Sequence, residues 1–179
     1  MKQVIKTIVF LVAAILFSGF SQAGPAEWNI DKAHSNFYFD IRHIFSTIRG
    51  SFDSFTGKIL IDSEKPEASS VTFDIEVKSV NTGINQRDNH LRTKDFFNEG
   101  QYPLMKFKST SVKKVDEKNY IMTGDFTIKD VTKKIEVPFT YLGVKDNPTK
   151  PDEQVAGFDA VFTIDRLAYN VGDGKFFKM

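Results

Sequence analysis

RDNHLRTKDFFNEGQYPLMKFKST (Arg87–Thr110) is the stretch that breaks an otherwise uniform pattern. On either side of it, apolar and polar residues alternate with the period of two that belongs to strands. Around its start, Ile84, Asp88, Leu91 and Asp95 recur at helical spacing, and Tyr102-Pro103 stops the pattern after Phe96-Phe97. One short helix midway along an all-β chain suits a cover over the end of a barrel. Arg87, Asp88, His90, Arg92, Lys94 and Asp95 are too many charges for a core helix. The helix is therefore expected to be amphipathic and to lie over one end of a sheet closed on itself. Thr82 or Asn85 is expected to cap its start. Asp88 and Arg92 read as an ordinary i,i+4 pair on a solvated face.

Working outward, Phe37, Phe39 and Ile41 alternate with Tyr38, Asp40 and Arg42, giving one apolar and one wet face. Phe55, Gly57, Ile59 and Ile61 share a face, but Phe52 is out of phase with them. That break predicts a bulge or a sharp bend. Asp62 to Pro66 reads as a turn. Val71, Phe73, Ile75 and Val77 form the cleanest strand pattern. Met105 and Phe107 point to one face of the strand after Pro103, and a hairpin at Asp116 to Asn119 leads into Met122, Gly124, Phe126 and Ile128. A tight connection at Asp130 to Lys133 precedes Ile135, Val137, Phe139 and Tyr141. Pro138, on the opposite face, predicts an edge or a bulge there. Lys145 to Glu153, with two prolines, is a solvated loop. The last strand is expected to carry Phe158, Ala160, Phe162 and Ile164.

The count is seven or eight antiparallel strands, each with one apolar face. A barrel of that size is either just filled by its side chains or wide enough for one small ligand. The alternation fits both. Gly57, Gly124 and Ala160 among the large inward residues are where room for a lumen would come from.

The chain opens with Lys2 and Lys6, an uncharged apolar run from Thr7 to Phe17, and Ser21-Gln22-Ala23. This is the pattern of a cleavable secretory signal peptide over 1–23, with one domain over 24–179. It predicts export to the periplasm. The chain has no cysteine, which removes disulfides, thiol chemistry and a cysteine-linked lipid anchor. Lysine and arginine number 24 against 23 acidic residues. So even a balance gives no electrostatic case for binding nucleic acid. The 18 phenylalanines, most at alternating strand positions, say more than the charges.

No G-x-S-x-G, H-E-x-x-H or Gly-rich phosphate loop occurs, so no catalytic residue is assigned. His34, His43 and His90 lack metal-ligand spacing. His34 and His90 are expected to hydrogen-bond neighbouring backbone or carboxylates. No metal or cofactor is assigned.

HLRTKDFFN followed by YPLMKFKS resembles the signature of the YceI-like family of secreted polyisoprenoid-binding proteins. The resemblance extends to WNIDKAHSNFYFDIRH (Trp28 to His43), GSFDSFTGKI (Gly50 to Ile59) and GDFTIKDVTKKIEVPF (Gly124 to Phe139). It continues more weakly in FTIDRLAYNVG (Phe162 to Gly172). It implies a hollow, lipocalin-like all-β antiparallel barrel that carries a long-chain isoprenoid, either a polyprenyl phosphate or a quinone-type lipid, without catalysis. A pure hydrocarbon chain must be held by apolar burial. The lining candidates are Phe37, Phe39, Ile41, Phe73, Ile75, Phe107, Met122, Phe126, Val137, Phe139, Phe158 and Phe162. A polar headgroup would sit at the mouth, near Arg42, His43, Arg49, Arg87 and Arg92, since arginine suits phosphate. Implied partners are the lipid, transient contact with a membrane or a quinone-using membrane cytochrome, and a second copy of the chain. The family pattern ends in a further strand after Gly172. Here only Asp173 to Met179 follow, so the closing strand is expected to be missing: either the chain is a shortened product or the seam between the first and last strands is left open. Two other readings stand beside the carrier: an enzyme or redox partner acting on such lipids, and a packed, stress-induced secreted domain.

Overall fold

The strands that the alternation predicts fold into two sheets, seen in a computed structural model that describes residues 24–62 and 64–173. The expected signal segment and the stretch 174–179 lie outside the described residues. The wide sheet has seven strands in the order β1 (Ala26–Trp28), β4 (Phe55–Ile61), β5 (Ser70–Glu76), β7 (Leu104–Lys114), β8 (Asn119–Ile128), β9 (Val131–Asp146) and β10 (Gln154–Ala160). The small sheet is β2 (Phe37–His43), β3 (Ser46–Phe52) and β6 (Val80–Asn81). All pairings are antiparallel. The wide sheet curls into a half-barrel, and one helix, α1 (Asn85–Arg92), follows β6. Among the described residues ten strands thus stand where seven or eight were expected. The extra ones, β1 and β6, are three and two residues long, too short to show a period.

The phase break between Phe52 and Phe55 is more than a bend. The chain leaves the small sheet at Phe52, enters the wide sheet at Phe55, and buries both rings. Each strand keeps its own inward row, so the two rows cannot share a phase. The turn after β4 is made by Asp62, whose Oδ1 accepts the N–H groups of Glu64 and Lys65. Pro138 stands inside β9, paired on one side with Ile121 of β8. On the other side, β10 pairing ends at Ala160 opposite Phe139, so the strand becomes an edge where the proline lacks its N–H. A bulge falls further along β9, at Leu142, which has no partner where the register with β10 shifts between Gly157 and Phe158.

The last predicted strand is shorter than expected. Phe162 and Ile164 lie beyond its pairing, and the chain passes into a 3-10 turn at Arg166–Tyr169. Asp165 caps that turn by accepting the Leu167 N–H, and Asn170 ends it in the left-handed region at φ 57°. Tyr169 and Val171 drop into the core as a result.

The core sits between the small sheet and the β4–β5–β7–β8 part of the wide sheet. Phe52, Phe55, Val71, Ile75, Val80, Met105, Phe107, Met122 and Phe126 are buried there. Three glycines each have a phenylalanine ring of the neighbouring strand where a side chain would stand; Gly50 and Gly124 are buried and Gly57 is exposed. A Cβ on Gly57 would lie 2.6 Å from Phe73 Cδ1, one on Gly124 2.5 Å from Phe107 Cζ, and one on Gly50 would strike Phe39. Gly57 and Gly124 therefore do not open a lumen, contrary to the expectation. Their missing side chains are the space into which the rings fold. Ala160, the third small residue, is exposed opposite Phe139.

Candidate functional site

The inner face of the wide sheet divides into a covered and a free part. Eleven of the twelve lining candidates lie on inward strand rows, in different surroundings, and Phe162 lies beyond the end of β10. Ile75, Phe107, Met122, Phe126 and Val137 are buried as core. Phe37, Phe39, Ile41, Phe73 and Phe139 are half-buried. Phe158 and Phe162 remain 38% and 42% exposed.

On the free part, aromatic rings run across three strands. Tyr120 of β8 stacks on Phe139 of β9 with centroids 5.2 Å apart and planes at 16°. Phe158 of β10 lies 6.3 Å from Phe139 and 5.4 Å from Tyr141. Beyond the end of β10, Phe162 meets Phe126 edge-on at 6.4 Å. The strand pairings Tyr120↔Phe139 and Tyr141↔Phe158 put these rings side by side, because directly opposed residues on one sheet face are neighbours. Tyr120 and Tyr141 were absent from the expected lining. The alternation already pointed to Tyr141, while Tyr120 falls inward in the register of Met122.

The helix is anchored differently from its sequence reading. Ile84 occupies the cap position with no side-chain cap, so neither Thr82 nor Asn85 caps it. Asp88 is not on a solvated face paired with Arg92. It is 5% exposed, and its Oδ1 accepts both the backbone N–H and the hydroxyl of Thr82. A buried carboxylate needs such donors, and the loop before the helix supplies them. Arg87 Nε donates to Thr82 Oγ1 at 2.7 Å, and its Nη2 donates to Thr82 O at 2.8 Å. Arg92 donates to Lys78 O, Val80 O and Asn89 Oδ1 at 2.8–3.0 Å. The helix is thereby stitched to β6 and the turn before it. Leu91, Phe96 and Phe97 pack on the core, with Phe97 edge-on to Phe52 at 5.7 Å.

Of the other expected headgroup residues, Arg49 makes two 2.8 Å hydrogen bonds to the Asp40 carboxylate on the outer face of the small sheet. That pairing holds the Asp40 carboxyl below its ordinary value. Arg42 donates to Ile44 O at 3.4 Å, and His43 is exposed at the end of the same hairpin. Among the described residues no group of His, Cys, Asp and Glu is arranged to hold a metal. His34 meets Asp31 at 2.8 Å, and His90 meets Asp95 at 3.4 Å, the carboxylate contacts expected for both.

Tyr169 escaped the sequence reading altogether. It is 2% exposed, edge-on to Phe126 at 5.8 Å, with Lys133 Nζ 5.9 Å from its ring centre. Its hydroxyl is buried with no hydrogen-bond partner among the described residues. Burial raises its pKa above the ordinary value. It lies in a 3-10 turn, whose short period leaves no alternation to read.

A curled antiparallel half-barrel with a helix beside its core and an aromatic inner face defines a lipocalin-like β protein. The comparison with known proteins sharpens this. The YceI-like domain model matches residues 28–179, and the chain belongs to that family. It is 35% identical over 169 residues to a UPF0312 protein of Pectobacterium carotovorum, covering 93% of this chain and 86% of that one. It is 36% identical to protein YceI of Escherichia coli, covering 93% and 87%. Among solved structures, BcnA of Burkholderia cenocepacia superposes with a TM-score of 0.73 at 26% identity, over 83% of this chain and 89% of that one. The YCEI protein of Campylobacter jejuni superposes at 0.66 with 32% identity, covering 80% and 84%.

Proposed function

We propose that this protein binds the hydrocarbon chain of a long isoprenoid lipid on the free inner face of β8–β10 and carries it without chemical change. The observation that supports this most is the row of partly exposed rings formed by Phe139, Phe158 and Phe162, flanked by Tyr120 and Tyr141. Soluble proteins cover such surface unless something else does. Burial yields about 25 cal/mol per Å², so covering about 300 Å² contributes roughly 7 kcal/mol before the costs of association. The resemblance to secreted polyisoprenoid-binding proteins supplies the ligand class. The amino-terminal pattern over 1–23 supports a periplasmic carrier moving lipid between a membrane and its user. The edge of β10, with Val155 on it and Leu142 and Val144 on β9 beside it exposed, supports pairing with a second copy.

Organic extraction of the protein purified from the periplasmic fraction, followed by mass spectrometry, tests the reading. Recovery of an intact prenyl lipid is the expected result. A chemically altered lipid would favour an enzyme, and empty protein a packed domain. Sedimentation showing only monomer would remove the second copy.

A further inference from the structure

We propose that the tip of the β2–β3 hairpin, Ile44-Phe45, is where the protein docks on a lipid bilayer, its apolar pair entering the headgroup region while Arg42 meets lipid phosphates. This deepens the carrier reading by naming its membrane contact, but none of its observations comes from the inner face of the wide sheet. β2 and β3 stay paired down to His43↔Ser46, so Ile44 and Phe45 make the whole turn. Phe45 is 91% exposed and Ile44 61%. Among the described residues no other large apolar side chain is as exposed as Phe45.

Turn chemistry makes this pair unusual. Two-residue hairpin turns favour Gly, Asn and Asp, because they require positive φ. Ile44 stands at φ 56°, where a β-branched residue is strained. The β8–β9 turn has the same form, closed by Ile128↔Val131, and uses Lys129 at φ 57° with Asp130. The β7–β8 turn is built on Asp116, which accepts the N–H groups of Lys118 and Asn119. The β9–β10 connection carries Asn147, Lys150, Asp152 and Glu153. Among these hairpins only β2–β3 ends in apolar side chains.

The surroundings select what covers them. Asp40 is the one acid between Phe37 and Phe52, and Arg49 holds it with two 2.8 Å bonds. Arg42 is exposed, and its Nε donates to Ile44 O at 3.4 Å, which keeps the guanidinium beside the turn. A cation set behind a protruding aromatic ring matches a bilayer, whose phosphates lie just outside its apolar region. A stable protein complex buries about 1,200–2,000 Å², far more than Ile44 and Phe45 can provide.

The test is co-sedimentation of the protein purified from the periplasmic fraction with vesicles of phosphatidylethanolamine and phosphatidylglycerol. The wild type should partition onto them, and Phe45→Ser should do so about tenfold less. Phe45 is too exposed for its replacement to unfold the protein. Arg42→Gln should weaken partition several-fold at low salt, and by less as salt rises. Ile44→Gly separates docking from folding. It relieves the positive φ, so it should bind vesicles more weakly while its urea midpoint holds or rises. No partition of the wild type, or equal partition of Phe45→Ser, overturns the proposal. Self-association that Phe45→Ser abolishes, without vesicle binding, does so too and gives the tip to a second copy. Organic extraction of the same preparations reads the carrier separately. Lipid-loaded protein that ignores vesicles overturns the docking alone, and protein that docks while empty overturns the carrier alone.

Discussion

The two parts of the wide sheet's inner face follow one sequence rule and end in different states. On β5 and β7, Ile75, Met105 and Phe107 alternate with polar residues and are buried under the small sheet. On β9 and β10, Phe139 and Phe158 sit in equally regular rows and stay partly exposed. Nothing in the alternation distinguishes the two. What differs is whether a second layer lies above, and the chain supplies that layer to the first part only. Apolar surface serves stability where it is covered and remains available for a ligand where it is not.

This contrast is most sharply broken by truncating one ring on each side. Phe107→Ala should cost about 3–5 kcal/mol, because it removes a packed ring and leaves a cavity over Gly124. Phe158→Ala should cost about 1 kcal/mol or less while weakening lipid binding. Urea unfolding of both variants checks this, and equal losses would mean that the free part is core after all. The glycines give a second, smaller contrast. Gly124→Ala forces its Cβ onto Phe107 and onto the Lys108 carbonyl oxygen 2.7 Å away, and should cost about 1–3 kcal/mol. Gly157→Ala, 3.1 Å from the Leu142 Cβ on the free part, should cost less than half as much in the same assay.

Tyr169→Phe goes the other way. Removing a buried hydroxyl that has no hydrogen-bond partner among the described residues should raise stability by up to about 1 kcal/mol, seen as a higher urea midpoint. A loss would reveal a water or ligand satisfying that hydroxyl. The smallest effect is on pH dependence. Asp53 and Asp116 have folded pKa values below the ordinary 3.8, through Ser51 and Asn81 for the first and Asn119 with the Lys118 and Asn119 N–H groups for the second. The folded state then binds fewer protons than the unfolded one. Their contribution is present above 3.8 and is lost as pH falls through the folded values. Melting curves at about pH 6 and about pH 3 should show it, and Asp53→Asn should flatten the difference on the covered side.

Much of this was legible beforehand. Strand positions, the Asp116–Asn119 hairpin, the helix between Ile84 and Thr93, and the inward row on each strand all follow from period and turn chemistry, which are local. The short β1 and β6, the 3-10 turn holding Tyr169 and the shift of Phe52 and Phe55 into separate sheets were not, since each depends on residues distant in sequence. The arginines show the same limit. Arg87 and Arg92 look like free cations on a helix, yet their donors are taken up by carbonyls and a hydroxyl in residues 78–82 and by Asn89.

By itself, then, the amino-acid order determined an antiparallel β chain with one helix and, for its longer strands, which row turns inward. Only the tertiary structure decided what those inward rows meet. Whether a ring folds over a glycine, packs under another sheet or stays open to a guest depends on how the layers stack. Stacking is settled by contacts between distant segments, which the periodicity of no single segment contains.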